Sequence, residues 1–367
     1  MKNKWEVKKL EQVCDIISGR SQKAVECSEG PYPIYGSGGI MGYASDYLCE
    51  SGATIIGRKG SINNPIYVQT KFWNVDTAFG MLPKPILNGK LFYYFCLSFD
   101  FSKMNKGTTI PSLVKKDLLQ IDVPYTPSLP EQQRIVDILD VEFAKIDRLR
   151  SNAELNLCHA KDLFQAATEK ELKDNGTLSV RMDEICDITS SLVNPQEGQY
   201  QNLLHVGGGN IESETGRLFD LKTANEEKLI SGKFLFDETM VLYNKIRPYL
   251  KKVAKPDFKG LCSADMYPLK PKDICNREYL YYILLSKGFT DYAILGSARA
   301  GMPKVNREHL FAYTCKIPSI DIQKQIVATL DELDAKCKVL QDNYTKTIAL
   351  CDDLKQALLR KAFNGEL

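Results

Sequence analysis

The chain has 367 residues, 44% hydrophobic and 26% charged, with a formal net charge of +2. That composition is ordinary for a soluble globular protein with room for two or three domains. It argues against a uniformly basic, histone-like binder while leaving a local nucleic-acid face open, and apolar runs as short as Tyr281–Leu285 cannot cross a bilayer. The opening MKNKWEVKKLEQV holds no apolar core segment, so no secretory signal is expected and the expected compartment is the cytoplasm. The 11 cysteines include no CxxC pair and only 3 histidines accompany them (His159, His205, His309), which is the wrong spacing for a zinc cluster or a dithiol redox centre. Reduced thiols, several of them buried, are the expectation.

Residues 19–109 read as mixed α/β. Thr54-Ile55-Ile56 and Ile66-Tyr67-Val68 are β-branched and aromatic runs bounded by turn residues, and a helix is predicted over 90–99. Between the strands lies Gly57-Arg58-Lys59-Gly60-Ser61-Ile62-Asn63-Asn64, a basic loop flanked by glycine that allows a ligand close to the backbone. Lys106-Gly107-Thr108-Thr109-Ile110-Pro111-Ser112 then leads toward a long helix. No Pro or Gly interrupts residues 131–175. Pro130 sits near the start and Gly176 marks the stop. About 40 residues at 1.5 Å each give roughly 60 Å.

Residues 190–301 again read as mixed α/β, with Met240-Val241-Leu242-Tyr243 as a strand and a helix over 277–286. One run stands out: Lys245, Arg247, Lys251, Lys252 and Lys255 fall within 243–255 with Asn244, Tyr243 and Tyr249 and no acidic residue. Lys and Arg at this density suit phosphates, and Arg and Asn pair bidentately with guanine and adenine edges. An Ala/Gly-rich turn with Arg299, Lys304, Asn306 and Arg307 follows, in the place that Lys106–Ser112 takes in the first half. A second uninterrupted helix is predicted over 320–364, stopped by Gly365.

The two helices repeat each other. Pro127-Ser128-Leu129 with Gln132, Ile135-Val136 and Leu139-Asp140 returns as Pro318-Ser319-Ile320 with Gln323, Ile326-Val327 and Leu330-Asp331, at an offset of 191. Glu11–Ile16 likewise matches Asp183–Ile188, whereas 19–109 and 190–301 show no sequence correspondence. With Leu139 and Leu330 at heptad position a, a seam is predicted through Ile135, Leu139, Ile146, Leu149 and Leu163 on the first helix. On the second it runs through Ile326, Leu330, Leu333, Leu340 and Leu354. The predicted architecture is therefore mixed α/β (α+β): two globular domains joined by two long antiparallel coiled-coil helices in an internal repeat.

Catalytic signatures do not assemble. Gly36–Gly39 and Gly207–Asn210 are glycine-rich but give no GxGxxG opening a helix, Asn63-Asn64-Pro65-Ile66 lacks the second Pro and the aromatic of an amino-methyltransferase motif, and no Walker A or GxSxG sequence occurs. Asp334-Ala335-Lys336 falls on the predicted coiled coil, where a charged pair is a solvated face. No catalytic residue, metal ligand or cofactor is assigned to the chain. Charge is uneven instead: residues 1–109 carry 13 Lys and Arg against 9 Asp and Glu, a net of +4, while 110–172 is acidic at −3.

Pro127-Ser128-Leu129-Pro130-Glu131-Gln132-Gln133-Arg134-Ile135-Val136 and the ending from Leu354 to Leu367 (LKQALLRKAFNGEL) resemble signature stretches of the specificity (S) subunits of type I restriction–modification systems. Trp5-Glu6 with Leu10 resembles the family's domain opening. Tyr35–Gly39 with Ile56–Ser61 resembles one class of target recognition domain, and Arg247-Pro248-Tyr249-Leu250 with Lys252 another. The resemblance covers essentially the whole chain. It implies recognition domains at 1–126 and 176–317 and conserved helical regions at 127–175 and 318–367. Each domain would read half of a bipartite, asymmetric double-stranded DNA site, with pseudo-twofold symmetry, and the helices would set the unread spacer. The helices would also dock two methyltransferase (M) subunits, which bind S-adenosylmethionine and methylate adenine N6. A restriction (R) subunit using ATP and Mg would join. The chain itself would be a reader, not a catalyst.

DNA contacts are expected from Arg58, Lys59, Ser61, Asn63, Lys106 and Thr108 in the first domain. In the second they are expected from Lys245, Arg247, Tyr249, Lys251, Lys252, Arg299, Lys304 and Asn306. Two departures stand out. Asp321-Ile322-Gln323-Lys324 replaces Pro130-Glu131-Gln132-Gln133 in the second copy, and His205-Val206-Gly207-Gly208-Gly209-Asn210-Ile211 is unusually glycine-rich for a segment that reads more like IGLENI in the family. Two other readings stay open: a coiled-coil scaffold joining two protein-binding domains, and a reader for a type II-like methylase–nuclease.

Overall fold

The computed structural model of the chain describes residues 5–297 and 302–367. They form two compact units, one of residues 1–154 with 345–367 and one of residues 155–344. The first runs β1 (Glu6–Lys9), α1 (Leu10–Val13), β2 (Cys14–Ser18), β3 (Tyr32–Gly36), β4 (Gly39–Ala44), β5 (Ala53–Gly57), β6 (Ile66–Val68), β7 (Trp73–Asn74), β8 (Ala78–Pro83), α2 (Gly89–Ser98), α3 (Lys115–Leu118), β9 (Asp122–Tyr125) and the start of α4 (Leu129–Asp174). The second follows with β10 (Leu178–Arg181), α5 (Met182–Ile185), β11 (Cys186–Asp187), β12 (Leu192–Val193), β13 (Leu204–Val206), β14 (Lys222–Thr223), β15 (Lys233–Phe236), β16 (Val241–Asn244), β17 (Val253–Ala254), β18 (Gly260–Cys262) and β19 (Met266–Pro271). It continues through α6 (Arg277–Leu285), α7 (Lys287–Ser297), α8 (Arg307–Ala312), β20 (Thr314–Ile317) and α9 (Ile320–Phe363), whose last turns belong to the first unit.

The units share a topology that the sequences of their variable segments do not announce. The first has a four-stranded sheet in the order β2-β8-β5-β6, and the second has β11-β19-β16-β17 in the same places. A second sheet, β4-β3-β7, corresponds to the β14-β13-β18 part of a five-stranded sheet. In both, one pair is parallel: β3 with β7, and β13 with β18. Burial, not identity, carries the likeness. Ala53–Gly57 and Val241–Asn244 are buried at every position, as central strands covered on both faces must be.

One helix then caps each main sheet. Asn88 opens α2, its side chain accepting from the Lys90 and Leu91 amides, and Asn276 opens α6 by accepting from the Tyr279 amide. A buried glutamine from each long helix braces that start: Gln132 accepts from the Asn88 N–H, and Gln323 from the Asn276 N–H. Further along each long helix, Asp140 accepts from the Tyr94 hydroxyl and Asp331 from that of Tyr282. These are the residues repeated at the offset of 191, so that repeat marks the joint between helix and sheet domain.

α4 and α9 are 46 and 44 residues long. In the first unit they pack antiparallel, Asp147 pairing with Lys355 and Arg150 with Asp352. Their seam corrects the predicted one. Ile135, Leu139, Ile146, Ile326 and Leu330 are buried as expected, but Leu149, Leu163, Leu340 and Leu354 are exposed and Leu333 is half-buried. The covered face runs instead through Leu139, Phe143, Ile146, Arg150, Ala153, Leu157, Ala160 and Phe164, with Leu330, Asp334, Cys337, Gln341, Tyr344, Ile348, Cys351, Lys355 and Leu358 on α9. The other three-and-four spacing wins because polar side chains complete it. Arg150 and Lys355 lay apolar stems along the seam and send their charges to Asp352 and Asp147, and the Lys355 ammonium also stands 5.2 Å over the Phe143 ring.

Trp5 packs edge-on against Phe363 at 6.3 Å, and Gly365 turns the end of α9 with φ 72°. A methyl there would lie 2.6 Å from the Trp5 ring, so glycine is required twice over. All eleven cysteines are free thiols, with Cys27 and Cys158 exposed. Burial pushes the Cys49 thiol up to about 12 and that of Cys315 to about 11, which leaves them protonated and unreactive.

Candidate nucleic-acid interface

Each unit carries a basic loop tied by backbone hydrogen bonds to the segment before its α3 or α8 helix. In the first, Arg58 and Lys59 follow the end of β5. The Gly60 N–H donates to the Pro111 carbonyl at 3.0 Å, the Leu113 N–H donates to the Arg58 carbonyl at 2.9 Å, and Lys59 bridges to Ser112. In the second, the loop follows β16. The Arg247 N–H donates to the Pro303 carbonyl and the Val305 N–H to the Lys245 carbonyl, both at 2.9 Å, while Ile246 bridges to Lys304. The two ties join topologically equivalent segments. They hold together stretches that lie far apart in the sequence, 57–64 with 106–112 and 243–255 with 302–307.

The tied loops present several of the expected side chains to solvent. Lys59, Ser61, Lys106 and Thr108 are exposed in the first unit. Arg58 is half-buried, with Nη1 3.4 Å from the Asp76 carbonyl and its guanidinium 5.9 Å over the Phe79 ring. Lys106 stands 3.8 Å from the Asp117 carboxylate. In the second unit Arg247, Tyr249 and Lys304 are exposed and Lys251 is half-buried. Arg247 and Lys251 hold left-handed backbone, φ 51° and 45°, on either side of the short 3-10 turn Pro248–Leu250. Two non-glycine residues in that region cost of order 1–3 kcal/mol each, a strain that collects at functional sites.

Four of the expected residues also bond within the protein. Asn63 donates to Asp100 and accepts from the Phe101 N–H, and Asn306 caps α8 by accepting from the His309 N–H. Lys245 is buried and donates to the Ala264 carbonyl; burial first, then the Lys304 charge, pull its ammonium below the usual range, with Asp265 opposing. Lys252 donates to the Gly208 carbonyl at 2.6 Å. A polar side chain near a ligand loop serves as readily to brace the loop as to touch the ligand, and sequence does not separate the two. Arg299 lies outside the described residues.

Sequence reading missed the glycine-rich turns as neighbours of these loops. A methyl placed on Gly57 would lie 3.1 Å from Ser37 Cβ, and one on Gly208 would lie 3.0 Å from Asn244 Nδ2. The signal was present in the sequence as glycine content, but only strand order places it. Among the described residues no group of three or more His, Cys, Asp or Glu side chains is arranged to hold a metal ion, and no helix is long and apolar enough to cross a membrane.

The family model described as "Type I restriction modification DNA specificity domain" matches residues 2–157 and again residues 164–348. The type I restriction enzyme EcoDI specificity subunit of Escherichia coli is 27% identical in an alignment 401 positions long, gaps included, that covers 99% of this chain and 88% of that one. The StySPI specificity subunit of Salmonella potsdam is 22% identical in an alignment 293 positions long, gaps included, that covers 72% of this chain and 62% of that one. Among solved structures, a chain from a study of complex assembly and conformational transition of the type I R-M system superposes with a TM-score of 0.78 at 18% identity, covering 99% of this chain and 98% of its own. The HsdS subunit of Thermoanaerobacter tengcongensis superposes with a TM-score of 0.56 at 18% identity, covering 99% and 97%. At these identities the superpositions establish a common fold.

Proposed function

The chain belongs to the type I restriction–modification DNA specificity subunits, and from that premise we propose how its parts divide the work. Residues 1–126 and 176–317 act as two target recognition domains, each reading one half of a bipartite, asymmetric DNA site. Arg58, Lys59, Ser61, Lys106 and Thr108 face one half. Arg247, Tyr249, Lys251 and Lys304 face the other, while Asn63, Lys245, Lys252 and Asn306 brace the loops. The observation that carries this reading is the doubled tie: in each unit the same backbone pairing holds a basic loop rigid at the same place in the topology. Rigid loops lower the ordering cost of binding and fix which base an arginine fork can reach.

The regions 127–175 and 318–367 dock two methyltransferase subunits in this proposal. Exposed Leu149, Leu163, Leu340 and Leu354 supply apolar surface for that purpose. S-adenosylmethionine, and the ATP and Mg of a restriction subunit, would be held by those partners in the cytoplasm, with adenine N6 as the methylated atom. The specificity chain recognises DNA and performs no chemistry itself.

The test is to co-express the chain with its methyltransferase subunits in a host free of adenine methylation and map N6-methyladenine genome-wide. Methylation confined to one two-part motif is the expected result; scattered or absent methylation sinks the reading. Arg247→Ala is expected to weaken discrimination in one half of that motif by about 1–3 kcal/mol. Arg58→Ala should do the same in the other half. Equal methylation of parental sites by the Arg247 variant would remove Arg247 from the interface.

A further inference from the structure

The tied loops do not explain the glycines beside them. β3 and β13 occupy equivalent places, and each ends at a glycine-rich turn: Gly36-Ser37-Gly38-Gly39 closes the β3–β4 hairpin and Gly207-Gly208-Gly209-Asn210 follows β13. Each turn leans on its basic loop. Ser37 lies against Gly57 and Gly60, and the Gly208 carbonyl accepts from Lys252.

A glycine is needed inside a protein for positive φ or for lack of space. Gly39 has the first reason, with φ 129°. Gly38 and Gly209 have neither. Both are exposed, neither has left-handed backbone, and a methyl on either would find nothing within 4 Å. Their chain entropy in the unfolded state is lost on folding with no return from the fold itself. The second turn is also well fixed, Asn210 accepting from the Gly207 N–H at 2.9 Å and donating to the Phe219 and Asp220 carbonyls. Flexibility is therefore not what its glycines supply.

A second observation lies behind the second turn. His205 is 93% buried, at 7% exposure, and its Nδ1 is 2.8 Å from Glu227 Oε2. Its Nε2 is buried with no hydrogen-bond partner, and a methyl on Gly207 would lie 3.6 Å from the intervening Cε1. The buried Nε2 is a cost that hydrogen bonds among the described residues do not offset.

We propose that Gly38 and Gly209 mark where the backbone of each recognition domain passes directly against DNA, one turn for each half-site. There a side chain would hold the duplex off, and main-chain N–H and C=O groups make the contact. The inference rests on the half-site reading above and adds to it two specificity-determining positions that carry no charge.

The test uses the full chain assembled with its methyltransferase subunits. The parent complex selects its sequence from a random duplex library, and affinity is then measured on the selected duplex. Gly38→Ala and Gly209→Ala are each expected to weaken binding at least tenfold at an unchanged melting temperature. Reselection should show lost sequence preference in one half of the site for Gly38→Ala and in the other half for Gly209→Ala. Gly198→Ala is the control: that glycine also has nothing within 4 Å of an added methyl, and binding should not change. Binding within twofold of the parent by both turn variants overturns the inference. So does a loss of affinity that tracks a loss of thermal stability, because the methyl would then act on the fold. A parent complex that selects no sequence brings down the half-site reading and this inference with it.

Discussion

Replacing Gln132 with leucine is expected to lower the stability of the first unit by about 3–6 kcal/mol, although leucine is apolar and of similar volume. Gln132 is 0% exposed. Its Oε1 accepts from the Asn88 N–H at 2.6 Å, and its Nε2 donates to the Ile86 carbonyl at 2.9 Å and the Thr126 carbonyl at 2.7 Å. Leucine would fill the space and leave one N–H and two carbonyls unpaired, each costing about 1–2 kcal/mol because two of the three bonds are only partly buried. Gln323 makes the same three bonds, to Asn276, Ile274 and Pro318, so Gln323→Leu should act on the second unit. The chain's only tryptophans, Trp5 and Trp73, both lie in the first unit. Their fluorescence in a urea titration should shift for Gln132→Leu and hold nearly still for Gln323→Leu, while far-ultraviolet dichroism registers both. A change under about 1 kcal/mol for Gln132→Leu would show that the joint relaxes and does not depend on this side chain.

Leu330→Ala should cost the second unit about 2–5 kcal/mol, whereas Leu163→Ala and Leu340→Ala should each change stability by no more than about 0.5 kcal/mol. Leu330 is 0% exposed, Leu163 53% and Leu340 40%, although heptad reasoning places all three on one seam. Truncating a buried leucine leaves a cavity, and truncating an exposed one leaves water where water already stood. Guanidinium titrations of the three variants followed by dichroism decide the matter. Equal losses at all three positions would restore the predicted seam and overturn the observed one.

The error in the seam shows what sequence carries here. Both helices and their offset were legible, because uninterrupted apolar periodicity and repeated residues are local features. The covered face was not, because counting apolar residues favours Leu149 and Leu354 over Arg150 and Lys355. Only the pairs Arg150–Asp352 and Asp147–Lys355 make the charged positions interior, and those partners are some two hundred residues apart. The variable segments behave likewise. Ala53–Gly57 and Val241–Asn244 share no residue in register, yet occupy the same central position, since a buried strand asks only for apolar bulk. Charge density revealed the two basic loops. Their ties to Pro111 and Pro303 are main-chain hydrogen bonds and leave no mark in side-chain identity, and neither do the internal hydrogen bonds of Lys245 and Asn63.

The discontinuity of the first unit bears on how the protein is made. Its core draws on Leu359 and Ala362 at the far end of α9, packed with residues near the amino terminus. The second unit is contiguous, residues 155–344, and has every residue it needs before those last turns are translated. At about 5–20 residues per second, the 190 residues of the second unit occupy the ribosome for roughly 10–40 s, during which the first unit exposes an unfilled apolar groove. The part synthesised first is thus the part completed last.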